Sequence, residues 1–252
     1  MTLMMNFTMI NDLFKNGRYP LLQSVIQKNM QGKIFVNKNY KKAFIINSLN
    51  WVYVIGEDSD DEFDEKIIQT LIENNKENYI WFGMTKYWEQ LIGNTVKNKI
   101  EYFPRLEWKF DKTIFNKIKI VSEKYPVKVI DKNSIHKVCK GIKNSIMDFW
   151  TTKENFLDNG FGYYIEHKTK IIGLIISAGI YNDEAEIDIL IDNHYQRQGL
   201  GKLLSVIFIN NCMERNIIPK WDCYKYNDGS VKLAESLGFK VINEYPCNLI
   251  RL

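Results

Sequence analysis

Apolar residues along this chain recur with two periods, and the switches between them lay out its elements. An amphipathic run from Tyr19 to Met30 stops ahead of Gly32. Three short runs rich in β-branched and aromatic residues follow, Ile34-Phe35-Val36, Ala43 to Ile46 and Trp51 to Ile55, and predict strands. Asp61 to Asn74 predicts a helix with acidic residues at its start, Tyr79 to Phe82 a strand, and Lys86 to Ile92 a short helix. Lys99 to Phe110 reads as a strand region bent by Pro104. The first half therefore predicts a small α/β unit.

The polar stretch Ile118 to Pro126 is the expected linker, dividing the chain into domains at 1–125 and 126–252. Beyond it, Val127 to Ile130 predicts a strand and Asn133 to Asn159 a set of broken helices. Phe161 to Glu166 and Lys170 to Ile180 predict an apolar hairpin, and Glu184 to Ile191 adds the third strand of a meander. After Gly199, the residues Leu200, Leu203, Leu204, Ile207 and Phe208 recur at i, i+3, i+4, i+7 and i+8, the buried face of a helix. Pro219 to Cys223 is a further strand. The sequence shows no internal repeat, low-complexity segment or heptad array.

Composition narrows the function classes. With 252 residues, 45% of them hydrophobic, the chain can bury real cores in one large or two small domains. A net charge of +4, without a dense Lys/Arg stripe interleaved with aromatics, argues against nucleic acid as partner. The acidic run Glu57 to Glu65 reads as a solvated helix entrance. Cys139, Cys212, Cys223 and Cys247 show neither Cys-x-x-Cys spacing nor a neighbouring histidine, so reduced thiols and no metal site are expected. His136, His167 and His194 have no partner spacing and read as surface residues. Asn6, Thr8, Asn11 and Asp12 interrupt the N-terminal methionines, which excludes a signal peptide, and no apolar stretch is long enough to span a bilayer. A cytoplasmic protein is expected. Nothing in the sequence speaks to oligomeric state.

The chemistry concentrates between Asp188 and Gly201, where a strand runs into a glycine-punctuated turn that opens a long helix. Amides at a helix start lack intrahelical partners and sit at the positive end of the helix dipole, which suits a phosphate or pyrophosphate. Two familiar glycine motifs fail. A dinucleotide fingerprint from Gly199 needs a small residue at Leu204, and a P-loop ending in Gly201-Lys202 needs Gly at Gln196 and Ser or Thr at Leu203. The pattern Gln/Arg-x-x-Gly-x-Gly/Ala does fit, through Gln196, Gly199 and Gly201, and resembles the acetyl-CoA pyrophosphate loop of the GNAT superfamily of N-acetyltransferases. Asn227, Ser230 and the run Leu233-Ala234-Glu235-Ser236-Leu237-Gly238-Phe239 resemble that superfamily's last block. Glu186-Ile187-Asp188-Ile189, Trp221-Asp222-Cys223, Leu233-Ala234-Glu235 and Asn159-Gly160-Phe161-Gly162 are similar to a two-domain bacterial subgroup that includes the enzyme of zwittermicin A self-resistance.

The resemblance implies an α/β fold of α+β type: a C-terminal GNAT fold with a mixed, mostly antiparallel sheet flanked by helices, and an N-terminal α/β domain that shapes the acceptor site. It implies acetyl-CoA as co-substrate, no metal, and a small-molecule primary amine, an antibiotic or metabolite, as acceptor. The backbone of Ile189 and Ile191 would grip the pantetheine and polarise the acetyl carbonyl. Arg197, Gln198, Gly199, Leu200, Gly201 and Lys202 would present amides to the pyrophosphate, with Asn227 and Ser230 against the pantetheine arm. An alkyl ammonium, with a pKa near ~10.4, must lose a proton before it attacks. Glu186 and Asp188, two apart on one strand and so on one face, and Asp222 are the candidate bases, with Asp188 first. One departure stands out: many superfamily members place a tyrosine where this chain has Ala234, leaving Tyr224, Tyr226 or no side chain to protonate the thiolate. Two other readings are a non-catalytic acyl-CoA-binding regulatory module, which the Ala234 departure permits, and transfer of a larger acyl group.

Overall fold

The computed structural model describes residues 20–56, 60–74, 78–95, 100–116, 118, 125–142 and 145–251. The methionine-rich N-terminus with Tyr19, the start of the acidic run at 57–59, Lys99 and most of the expected linker lie outside the described residues.

The first half folds as α1 (Pro20–Ile26), β1 (Gly32–Val36), β2 (Lys42–Asn47), β3 (Trp51–Gly56), α2 (Asp61–Glu73), β4 (Asn78–Phe82), α3 (Lys86–Thr95) and β5 (Ile100–Tyr102), followed by β6 (Arg105–Phe110) and α4 (Lys112–Phe115). The second half comprises β7 (Val127–Val129), α5 (Ile135–Gly141), α6 (Ser145–Phe149), α7 (Lys153–Asn159), β8 (Gly162–His167), β9 (Lys170–Tyr181) and β10 (Glu184–Ile191). A 3-10 turn (Asn193–Tyr195), α8 (Leu200–Glu214), β11 (Ile218–Tyr224), α9 (Asp228–Ser236), β12 (Phe239–Tyr245) and β13 (Cys247–Arg251) complete it. The fold is mixed α/β, with two mainly antiparallel sheets flanked by helices.

The two sheets run β1-β2-β3-β4-β13-β5 and β12-β6-β11-β10-β9-β8-β7. Their strand directions follow one scheme. An antiparallel meander (β1-β2-β3, β8-β9-β10) meets one parallel neighbour (β4, β11), then two antiparallel strands. The chain thus contains a topological repeat that its sequence does not betray.

In each half the strand beside the parallel pair is contributed by the other half: β6 enters the second sheet, and the C-terminal β13 enters the first. Pro104 does not bend one strand, as its position suggests, but separates two strands of different sheets. Ile100 to Tyr102 pair with β13, whereas Arg105 pairs with Tyr224 and Tyr245. Sheet membership therefore does not follow the expected division at 125/126.

The exchange places the sheets against each other. One apolar core includes Leu21, Ile45, Tyr53 and Phe82 of the first half together with Trp150, Leu174, Ile176 and Tyr245 of the second. Other cores lie under α2 and α3 and beneath α8 and α9. In the first half the strand-to-helix junction is acidic: Asp60 accepts from Phe63 N at 3.2 Å, and Asp61, Glu62 and Asp64 fill the first turn of α2. Buried Asp64 also bridges Lys42 at 2.6 Å. Acidic side chains at a positive helix end repel a phosphate, so this junction suits no anion.

Candidate active site

β10 and β11 are parallel neighbours over three pairs only, Glu184↔Ile218 to Glu186↔Lys220. From Ile187 onward β10 stays paired with β9, including Ile189↔Ile175 and Ile191↔Gly173, but has no partner on β11. The strands splay, and the edge of β10 that carries Ile189 and Ile191 is opened toward the gap. Ile187 and Ile189 pack into the helix-side cores. Glu186 and Asp188 alternate onto the opposite face, where both line a cavity.

The turn beyond β10 is built to present amides. Gln196 Nε2 ties it down by donating to Asn193 Oδ1 at 3.0 Å, and Gln198 Nε2 donates to His194 O at 3.3 Å. Arg197 (φ 58°) and Gly199 (φ 79°) adopt left-handed backbone, so the chain curls into the start of α8. The first amide here with a backbone acceptor is that of Leu203, bonded to Gly199 O at 3.0 Å; those of Arg197 to Lys202 have none among the described residues. Arg197 and Lys202 form no ion pair with the described residues. At Gly201 a Cβ would stand 3.3 Å from Leu233 Cδ2, so a larger residue there presses on the Leu233 side chain of α9. Unpaired amides at a positive helix end, two cations and a turn held open by glycine fit the pyrophosphate of acetyl-CoA.

On the other face of the splay, the three candidate carboxylates come together. Glu186, Asp188 and Asp222 share a cavity of about 90 Å³ with Arg105, Tyr245 and an aromatic group from the first half, Trp51, Tyr53 and Phe82. Arg105 Nε donates to Asp222 Oδ1 at 2.5 Å, and the Tyr245 hydroxyl donates to Asp222 Oδ2 at 2.6 Å. The guanidinium lies 4.4 Å from the Tyr224 ring centre and 5.4 Å from that of Phe82.

Burial costs Arg105 solvation, yet Asp222 and the two tyrosines hold it above its ordinary value. Asp222 is pushed up by burial and pulled back by Arg105 and the Tyr245 hydroxyl. With an N–H and an O–H each donating to one of its oxygens, the ionised carboxylate is the form this geometry satisfies. Glu186 differs. Burial, reinforced by Asp222, pushes it up to about 8 against the pull of Arg105 and Lys220, and it makes no hydrogen bond among the described residues. Lys220 stands between Glu107 and Glu184 at 3.8 and 3.7 Å.

The remaining candidates sit apart from this cavity. Asn227 caps α9, its Oδ1 accepting from Ser230 N at 3.1 Å, and the Ser230 hydroxyl accepts from Trp221 Nε1 at 3.0 Å. Ala234 is fully buried in the core beneath α9. Of the two tyrosines expected in its place, Tyr226 is 72% exposed and Tyr224 stacks on Arg105. The four cysteines are free thiols, and no cluster of metal-ligating side chains occurs among the described residues. His194 is on the surface beside Asp192. Sequence reasoning missed Arg105, Tyr245 and the aromatic group. One signal was present: Arg105 and Glu107 alternate with apolar Leu106 and Trp108, placing two charges on one face of a strand.

Splayed parallel strands that lead into a helix start with exposed amides have the form expected of the acetyltransferases that the sequence resembles. Residues 11–248 match the model of the GNAT acetyltransferase family, and the chain belongs to that family. It is 24% identical over 244 residues, 95% of this chain and 94% of the relative, to the uncharacterized N-acetyltransferase YdfB of Bacillus subtilis (strain 168). Among solved structures it is similar to a GCN5-related N-acetyltransferase-like protein from Streptococcus suis, with a TM-score of 0.75, 22% identity, and coverage of 97% of this chain and 98% of that one. It is also similar in fold to a tandem GNAT protein from the clavulanic acid biosynthesis pathway, with a TM-score of 0.65, 8% identity, and coverage of 97% and 93%. Family membership carries the activity: the chain is an acetyl-CoA-dependent acetyltransferase. None of its described helices is long and apolar enough to cross a membrane.

Proposed function

We propose that this enzyme acetylates the primary amine of a small molecule, with the amine entering the cavity between the two sheets and Glu186 accepting its proton. The observation that carries this reading is the placement of Glu186 and Asp188 on the strand that runs into the anion-binding turn. Residues Arg197 to Lys202 hold the pyrophosphate, and the opened edge at Ile189 and Ile191 holds the pantetheine and polarises the acetyl carbonyl. Asn227 lies toward the same arm while capping its helix; Ser230, committed to Trp221, supports the wall. When bound, acetyl-CoA supplies an activated acetyl group: the amine nitrogen forms the amide bond as the C–S bond breaks and CoA leaves as the thiol.

Among the three carboxylates, Glu186 is favoured because Asp222 is committed to Arg105 and Tyr245. A base poised near neutral pH is also the efficient one. Asp188, adjoining the splay, orients the ammonium. The 1–125 portion acts as the acceptor-shaping domain through its aromatic group, and 126–252 as the acetyl-CoA domain, with β6 and β13 exchanged between them. The likeness to the zwittermicin A resistance subgroup supports a small-molecule acceptor, and the free thiols and acetyl-CoA requirement support a cytoplasmic location. An acetyl-CoA-dependent thiol-release screen over an amine library tests the reading. Tight CoA binding with no release on any amine would refute it.

A further inference from the structure

The acceptor cavity has two unlike walls. On one side stand aromatic rings of the first half: Tyr53 stacks on Phe82 with ring centres 4.8 Å apart, and Trp51 lies 5.1 Å from Phe82. On the other stand the carboxylates of β10 and β11. Ring faces and a buried carboxylate together recognise an organic cation, through the ring quadrupoles and through charge pairing. The cavity, about 90 Å³, admits a small polar group such as an alkyl ammonium.

The charge inventory of the lining decides what else an acceptor can carry. Among the described lining residues the one cation is Arg105. Its Nε and Nη2 are engaged on Asp222, at 2.5 and 3.3 Å, and its plane is held between Phe82 and Tyr224 with the side chain only 10% exposed. Lys220, the next cation, is held between Glu107 and Glu184. An incoming ammonium supplies the counter-charge that Glu186 lacks. An incoming carboxylate meets only Arg105, whose charge Asp222 already balances, and adds a further negative charge to an acidic face, which is costly.

We infer that the acceptor is a primary alkylamine with no carboxylate beside its amine, held as a cation between the aromatic wall and the acidic face. Free α-amino acids are excluded, so the acceptor is the product of a decarboxylation or of a synthesis that never installs the acid. This rests on the amine-acetylation reading and narrows it.

The test uses the full chain and matched pairs that differ only in the α-carboxylate: tyramine and tyrosine, cadaverine and lysine, ethanolamine and serine. Thiol release from acetyl-CoA should show kcat/KM at least about 100-fold higher for the better amines than for their acids, the scale of an uncompensated buried charge. Calorimetry on the CoA-loaded protein should show the same order without turnover. Trp51→Ala should weaken amine binding about tenfold while CoA affinity holds. Equal rates and affinities for amine and amino acid would overturn the inference and leave the acetyltransferase reading standing. If CoA binds but no amine and no amino acid is bound or acetylated, both fall.

Discussion

Arg105 and Asp222 are 117 residues apart in sequence, yet Arg105 Nε donates to Asp222 Oδ1 at 2.5 Å. The contact joins a strand supplied by the first half to a strand of the second, in the cavity that Glu186 and Asp188 also line. Since the pair is nearly out of solvent, with side chains 10% and 13% exposed, removing one partner strands a buried charge. Arg105→Ala should destabilise the protein by about 3–5 kcal/mol. The Arg105→Met, Asp222→Leu double variant should recover much of that loss without restoring full acetylation. Chemical denaturation and thiol release on the two variants measure both effects. A single variant as stable as the wild type would show that the pair does not anchor the exchanged strand β6 to β11.

The strand exchange leads to a second expectation. A chain lacking residues 1–125 loses β6, which lies between β11 and β12 and pairs with both. The two strands are left with unpaired edges, and the cores that included Tyr53 and Phe82 on one side and Leu106 and Trp108 on the other lose those members. Such a truncation should fail to fold cooperatively and should expose apolar surface. Circular dichroism and size exclusion check it; a monomeric, cooperatively melting fragment that binds CoA would contradict it.

The proposed CoA turn makes two glycines testable for different reasons. Gly199 has open space around its would-be Cβ but sits at φ 79°, so valine there meets backbone strain of order 1–3 kcal/mol. Gly201 has ordinary helical surroundings but faces Leu233 Cδ2 at 3.3 Å, so the branched side chain of valine crowds Leu233 and the amides at the helix start. Both variants should lower CoA affinity at least about tenfold in calorimetry while far-ultraviolet circular dichroism stays near wild type. CoA affinity unchanged in a folded Gly199→Val variant would place the pyrophosphate elsewhere.

What the sequence revealed follows the range of the physics involved. The turn at 196–202 was legible because its requirements, glycine at a left-handed position and a helix start after a strand, are met within a few residues. The alternation of Glu186 and Asp188 was legible for the same reason. Arg105, Tyr245, Trp51, Tyr53 and Phe82 were not, because they reach the cavity through strand pairings between distant segments and through an exchange that no local pattern encodes. β12 escaped notice because Val241 and Ile242 are 47% and 53% exposed, which breaks the alternation a half-buried strand should show. β13 is five residues long and gains its meaning only from β4 and β5 on either side.

Glu186 ties stability and turnover to pH with opposite signs. Its folded value of about 8 lies above the ordinary 4.5, so the unfolded chain releases this proton first as pH rises. Between about 4.5 and 8 the unfolded state binds fewer protons at this site, and folding stability falls with pH, by up to about 1.4 kcal/mol per unit. Glu186→Gln should therefore match the wild type near pH 4 and exceed it at pH 8 by an order of a few kcal/mol. Turnover moves the other way. Only the ionised carboxylate accepts a proton, so kcat/KM for an identified amine should rise with pH through about 8 in the wild type. In Glu186→Gln that rise should vanish and turnover should drop by roughly 10² to 10⁴ while CoA affinity is retained. Asp188→Asn, by contrast, should raise KM for the amine and leave the pH profile in place. A Glu186→Gln enzyme with full turnover and an unaltered profile would move the base to Asp188 or Asp222.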